Sequence, residues 1–144
     1  MTLTSPTATG RRAHAAQLAL LGAAQTLVAA HAAPLTEAAR YTAGPRGADL
    51  ARRLCADIAA VEHWQPAFAR RLRLLRGLLA LDHAGDPEAF YPVPDDLCDP
   101  DPERVLTCCL YVERLTDLIE RAERVATRRH PRARAQDTSP AAAA

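Results

Sequence analysis

The chain has no lysine and no asparagine, so arginine carries all of its fixed positive charge. Both missing residues have AT-rich codons, and their absence indicates a GC-rich bacterial genome. The arginine bias is therefore not by itself a nucleic-acid signature. The formal net charge is +1, which excludes a strong overall attraction to DNA or to a membrane surface.

Aromatic residues are also scarce, at 4% of the chain, and no strand-like alternation is present. We expect a core of Leu, Val and Ala with four large rings, Trp64, Phe68, Phe90 and Tyr111. Such a composition favours close-packed helices, because Ala has the best helix propensity. The sequence predicts an all-α fold, a small bundle of about four helices. We expect one domain at 10–127, a disordered lead at 1–9 and a disordered Arg- and Ala-rich tail at 128–144.

Proline and glycine signals set the predicted helix boundaries. Pro34 is expected to end the first helix, the cluster 42–47 to form a turn, and Pro66 to begin the third helix. Asp101 and Pro102 form the clearest start signal, an N-cap followed by a first-turn proline. The predicted helices span about 11–33, 45–64, 66–85 and 102–127.

The segment 86–101 contains four prolines and predicts an irregular loop. Its hydrophobic residues are expected to fasten it to the bundle; they are Phe90, Tyr91, Val93 and Leu97. A loop of this length is unusual in so small a domain and points to a function.

The stretch 11–33 permits two interpretations. Two arginines, a run of small and apolar residues and the sequence A-H-A before Ala33 follow the order of an export signal. Polar residues interrupt the run, which favours a first helix of a cytoplasmic protein. No run approaches the ~20 apolar residues of a membrane span, so we expect no membrane partner.

Residues 47–64, GADLARRLCADIAAVEHW, resemble the helix-turn-helix of bacterial regulators. The residues at the motif's apolar and alanine positions are Leu50, Ala51, Leu54, Ala56, Val61 and Trp64. The resemblance implies a recognition helix at 58–64 in the major groove. The segment departs from the pattern at Cys55, where the motif usually has glycine. The preferred interpretation is one continuous helix that buries the face Leu50, Leu54, Ile58 and Val61.

A cluster of arginines lies at 70–76, beside an acidic segment at 77–103 that has eight acids and no arginine. Arginine binds phosphate well. The candidate nucleic-acid contacts are Arg52, Arg53, His63, Arg70, Arg73 and Arg76. The preferred interpretation is a solvated helix face whose arginines pair with the acidic segment.

We expect no metal, no cofactor and no catalytic residue. Cys98, Cys108, Cys109 and His83 are possible zinc ligands, but C-x9-C-C is not a zinc-ligand spacing. The acids at 95–101 lack the glycine and closing glutamate of a calcium loop. The only serines, Ser5 and Ser139, lie in the chain ends, and no phosphate loop is present. Buried apolar thiols are the expected state of the cysteines.

These observations predict a non-enzymatic interaction or regulatory protein of the bacterial cytoplasm. It is expected to dock by a helix face onto a protein partner or a second copy of itself. The predicted interface is the apolar seam of the last helix, at Val112, Leu115, Ile119 and Ala122. The alternative is a DNA-associated regulator that uses the segment 47–64.

Overall fold

A computed structural model of the chain describes residues 7–86 and 88–129. These residues form three α-helices and one short 3-10 turn, with no strand among them. The elements are α1 (Ala8–Ala60), α2 (Pro66–Leu79), the 3-10 turn (Asp95–Cys98) and α3 (Pro102–Arg129). The all-α prediction is confirmed. The predicted count of four helices is wrong, because the first two predicted helices belong to a single element.

α1 folds back on itself at Gly44. Gly44 has non-helical dihedrals (φ 69°, ψ −162°), whereas the residues on either side of it are helical. The Gln25 side-chain amide donates to the carbonyls of Ile58, at 3.1 Å, and Val61, at 3.0 Å. In a straight helix, Gln25 and Ile58 would be about 50 Å apart. α1 therefore has a first arm (8–43) and a second arm (45–60) that pack side by side.

The helix continues through Pro34, where a break was predicted. Proline removes a backbone donor and crowds the preceding turn, at a cost of about 3 kcal/mol. Val28 and Leu35, on either side of Pro34, are both buried in the same core. This packing holds the helix together across the proline, whose own side chain is exposed. Pro45 begins the second arm, a position where its missing N–H costs little.

The helix termini differ from the prediction at both ends of the chain. Thr7 caps α1, since its hydroxyl accepts a hydrogen bond from the Gly10 N–H at 3.2 Å. Residues 7–9 are thus ordered, contrary to the predicted lead, and residues 128 and 129 complete α3 rather than the tail. The rest of the predicted lead and tail, 1–6 and 130–144, lies outside the described residues.

α2 begins at Pro66, as predicted, but ends at Leu79 rather than near Gly85. A turn occupies residues 80–85, with positive φ at Leu81 and Gly85. The predicted start of α3 is confirmed. The Asp101 carboxylate accepts from the Glu103 N–H at 3.0 Å, and the Asp101 carbonyl accepts from the Val105 N–H at 3.0 Å.

The core lies where the two arms of α1 meet α2 and α3. Ala24, Ala39 and Ala51 are fully buried, so the helices approach closely at these points. Phe68 and Tyr111 are buried as predicted, and Trp64 is half-buried with its ring edge-on to Phe68. The prediction for Phe90 is wrong, because this ring is exposed.

α1 is also the one helix of the described chain that is long and apolar enough to cross a membrane by length and composition. Its most apolar 18-residue window has a mean hydropathy of 1.5, and 28% of that window is buried. Core helices and export signals share these properties. The signal-like stretch 11–33 lies inside the first arm and supplies four residues to the core, Leu20, Leu21, Ala24 and Val28.

Candidate functional site

The predicted docking seam of α3 lies in the core. Leu115 has 0% exposure, Ile119 and Ala122 are buried, and Val112 is half-buried against the same cluster. These side chains attach α3 to the rest of the chain. A partner that meets the folded chain does not reach Leu115, Ile119 or Ala122, so the surface of α3 must be sought on its other side.

The outer side of α3 carries a second set of apolar residues. Leu106 is 69% exposed and Leu110 is 44% exposed, and Val105 and Cys109 are exposed beside them. Positions 106, 109 and 110 share one side of a helix, because residues three and four apart are neighbours. We call Val105, Leu106, Cys109 and Leu110 the α3 outer patch. The signal for it was present in the sequence, since VLTCCLYV (105–112) is apolar almost all round.

Acidic side chains border the α3 outer patch. Glu103 precedes it, and Glu113 and Asp117 follow it on the next two turns; all three are exposed. Arg104 forms an ion pair with Asp101, with 3.8 Å between its Nε and the carboxylate oxygen. The exposed arginines 121 and 124 come about three and four turns beyond Leu110. The patch therefore has an acidic rim.

The second arm of α1 is a continuous helix, as the preferred interpretation of 47–64 predicted, but it ends at Ala60 and not near Trp64. Leu54 and Ile58 are buried, and Leu50 and Val61 are half-buried against the core. The helix-turn-helix arrangement is contradicted. Cys55 is helical and buried, so no turn occurs there, and α1 ends at Ala60, which leaves most of 58–64 non-helical.

The candidate nucleic-acid residues come from two helices and the segment between them. Arg52 and Arg53 both pair with Asp49 on their own helix, whereas Arg73 pairs with Glu123 of α3 at 3.1 Å. Arg70 is exposed on α2 and Arg76 is half-buried there, and His63 is exposed in the segment that joins α1 to α2. The six residues lie on the second arm of α1, on the segment that follows it and on α2.

Among the side chains that the structure describes, two arginines of α2 pair with acids of other helices and not with the acidic segment, contrary to the prediction. Arg71 pairs with Asp57 of the second arm at 2.7 Å, and Arg73 pairs with Glu123. Each pair joins α2 to a neighbouring helix. Such exposed pairs contribute about 0–1 kcal/mol each, so they orient the side chains more than they stabilise the fold.

A cleft of about 350 Å³ lies between the second arm, α2 and the loop that follows α2. Its lining residues combine guanidinium groups with aromatic rings; they are Arg46, Asp49, Leu50, Arg53, Arg71, Phe90 and Tyr91. We call it the arginine–aromatic cleft. Sequence reasoning missed it, because Arg46 and Phe90 are 44 positions apart and no spacing rule connects them.

A polar cluster joins the first arm to α3. The Nδ1 of His31 lies 3.1 Å from the Tyr111 hydroxyl oxygen, and the Nε2 of His31 contacts the Arg114 guanidinium. Arginine can only donate, so Nε2 accepts and the Nδ1 proton is donated to the Tyr111 oxygen. Burial raises the pKa of Tyr111, and the nearby Arg114 charge opposes this. The cluster fixes the contact between two helices, and both ring nitrogens of His31 are occupied by that role.

The four cysteines are free thiols in two environments. Cys98 and Cys109 are exposed. Burial raises the pKa of Cys55 to about 11 and that of Cys108 to about 11, the latter with a smaller contribution from Cys109. Within residues 7–86 and 88–129, no group of three or more His, Cys, Asp or Glu side chains is arranged to hold a metal ion.

We expect iodoacetamide at pH 8 to modify Cys98 and Cys109 of the folded protein and to spare Cys55 and Cys108. The thiolate is the reactive form, and the buried thiols stay protonated well above this pH. Peptide mass spectrometry after a short pulse gives the readout. Cys108 and Cys109 are adjacent, so they control for local sequence. After denaturation both should be modified equally. Equal modification of the two in the native protein would show that Cys108 is not buried.

The core does not use the α3 outer patch or the arginine–aromatic cleft. Both were found from the folded arrangement and not from a motif. Comparisons of the chain with protein-family models, with curated proteins and with solved structures give no match.

Proposed function

We propose that the chain is a non-enzymatic interaction protein that docks through the α3 outer patch onto a helix of another protein. The observation that carries this proposal is the exposure of Leu106 and Leu110 on the helix that also supplies the core seam. α3 is apolar on two sides, and only one of them packs into the core of the chain. The other side is left exposed to solvent. Clustered exposed apolar residues rimmed by polar ones are typical of protein interaction sites.

The acidic rim defines the chemistry of the partner. An apolar helix stripe flanked by arginine or lysine would bury Leu106 and Leu110 and would place positive charge beside Glu113 and Asp117. Complementary rim charges speed association and reject wrong partners more than they add affinity. We therefore expect the partner's affinity to depend on the patch and its association rate to depend on salt.

A second copy of the chain fits this surface less well. A two-fold dimer places the same surface on both copies against itself. Two α3 outer patches in contact would bring their acidic rims together, and like charges at an interface are unfavourable. A different protein with a basic flank is the occupant that the charges favour.

The test uses three designed 20-residue amphipathic peptides that share one leucine stripe and differ in their flanks, which are arginine, glutamine or glutamate. We expect the arginine-flanked peptide to bind best in fluorescence anisotropy. Leu106→Glu and Leu110→Glu should each weaken it by about tenfold or more, as expected for residues at the centre of an interface. Leu74→Glu is the matched control, because Leu74 is 43% exposed but lies on α2.

Other results would overturn the proposal. Equal weakening by Leu74→Glu and Leu110→Glu would show that the α3 outer patch has no special role. Equal binding of the three peptides would refute the role of the acidic rim. Sedimentation of the chain alone tests whether a second copy binds the α3 outer patch. A dimer that Leu110→Glu dissociates would show that it does, and this would contradict the partner proposed here.

A further inference from the structure

We infer that the arginine–aromatic cleft binds a small phosphorylated ligand that carries a flat ring, as in a nucleotide. This site is separate from the α3 outer patch and does not depend on the docking proposal. Its volume of about 350 Å³ lies within the range of small-ligand sites. Its lining residues come from two helices and one loop, and they pair cationic groups with exposed aromatic surface.

Phe90 supplies the aromatic surface. Phe90 is 64% exposed, whereas the other rings predicted for the core, Trp64, Phe68 and Tyr111, are buried or half-buried. The Arg46 guanidinium lies 4.3 Å from the Phe90 ring centroid, and Arg46 Nη1 donates to the Phe90 carbonyl at 2.9 Å. Tyr91 packs edge-on to Phe90, with 5.0 Å between ring centroids. Arg46 thus covers one face of the ring and Tyr91 meets it edge-on, and the remaining exposed surface of Phe90 can stack on a ligand.

Arg53 and Arg71 supply the phosphate contacts. Arg71 pairs with Asp57 at 2.7 Å, and Arg53 pairs with Asp49 at 3.3 Å. A guanidinium has five N–H donors, and one carboxylate takes at most two of them, so each arginine keeps donors for a ligand. Bidentate contact with phosphate is a geometry to which arginine is suited.

The balance of charge in and beside the cleft is positive. Three arginines line it, at 46, 53 and 71, with one carboxylate, Asp49, and Asp57 beside the cleft pairs with Arg71. Asp49 is shared between Arg52 and Arg53, so one carboxylate offsets two guanidinium groups. A ligand phosphate would neutralise the excess. An uncharged ring compound would gain only the stacking, and free phosphate would gain only the arginine contacts.

The test compares adenosine 5′-monophosphate, adenosine and inorganic phosphate by isothermal titration with the full chain. We expect the nucleotide to bind about tenfold or more tightly than either of the other two. Phe90→Ala and Arg53→Gln should each weaken the nucleotide by about tenfold, the size expected for loss of one stacked ring or one phosphate contact. Arg128→Gln, an exposed arginine at the far end of α3, is the control and should leave binding unchanged.

A fourth probe, a 5′-phosphorylated ten-residue oligoadenylate, distinguishes a free nucleotide from the end of a single strand. Tighter binding of the oligonucleotide, lost in Phe90→Ala, assigns the cleft to single-stranded nucleic acid. Similar affinity of the two assigns it to the free nucleotide. The inference is overturned if the nucleotide binds no better than adenosine and phosphate, or if Phe90→Ala and Arg53→Gln bind it like the parent chain. Both variants alter exposed side chains, so we expect them to fold, and their thermal unfolding is to be measured beside that of the parent chain.

Discussion

Gly47→Ala is expected to lower the free energy of unfolding by about 3 kcal/mol, the upper end of the usual cost of overpacking. A Cβ at position 47 would lie 2.5 Å from the Ala43 Cβ and 2.7 Å from the Ala39 carbonyl oxygen. Neither atom can rotate away, because one is attached directly to the backbone and the other belongs to it. The two arms of α1 must therefore separate near the bend. Urea unfolding followed by circular dichroism measures the loss.

Gly22→Ala is the matched control for this prediction. Gly22 is also helical in α1, but it is exposed and a Cβ there would meet no atom within 4 Å. Alanine in an exposed helix is more stable than glycine by roughly 0.5–1 kcal/mol, so this variant should gain stability. The two glycine substitutions should thus change stability in opposite directions. A gain in both would mean that the arms do not approach closely at Gly47.

The bend of α1 shows what local sequence signals can predict. The cluster 42–47 identified the place where the chain reverses, because glycine and proline mark turns. Its length was overestimated, since a single residue, Gly44, makes the reversal. Gly44 adopts φ 69° and ψ −162°, a region that is essentially restricted to glycine. One such residue is sufficient when glycine and alanine let the arms pack closely beyond it.

The failures at Pro34 and Phe90 have a different cause. Pro34 was expected to end a helix on local grounds, and the burial of Val28 and Leu35 on one core overrides that preference. Phe90 was expected to be buried because it is large and apolar. In the fold it instead contacts Arg46, which is 44 residues earlier in the chain. Tertiary contacts decided both outcomes, and periodicity contains no information about them.

The sequence pattern identified the α3 seam as an apolar stripe. It was predicted to be an interface, whereas in the structure its residues Leu115, Ile119 and Ala122 are buried in the core. Apolar residues at 3–4 spacing predict that a helix face is buried. The pattern is the same whether the face packs against a partner or against the chain's own core. Only the fold distinguishes Leu115, which is covered by the chain itself, from Leu106, which is not.

That distinction leads to the second large effect. Leu115→Ala is expected to lower the free energy of unfolding by about 2–5 kcal/mol, because Leu115 has 0% exposure and its removal leaves a cavity between helices. Leu106→Ala makes the same chemical change on the same helix at 69% exposure and should shift stability by no more than about 0.5 kcal/mol. Chemical denaturation of both variants gives the comparison.

Binding of the arginine-flanked peptide to the same two variants separates core from interface. Leu106→Ala should weaken the peptide while the unfolding midpoint stays unchanged. Leu115→Ala should lower the midpoint, and under conditions where it remains folded it should bind the peptide nearly as well as the parent chain. The reverse result, in which Leu115→Ala loses binding at full stability, would place the interface on the seam. α3 would then have to expose Leu115, Ile119 and Ala122, and the arrangement of its two apolar sides would be opposite to the one described.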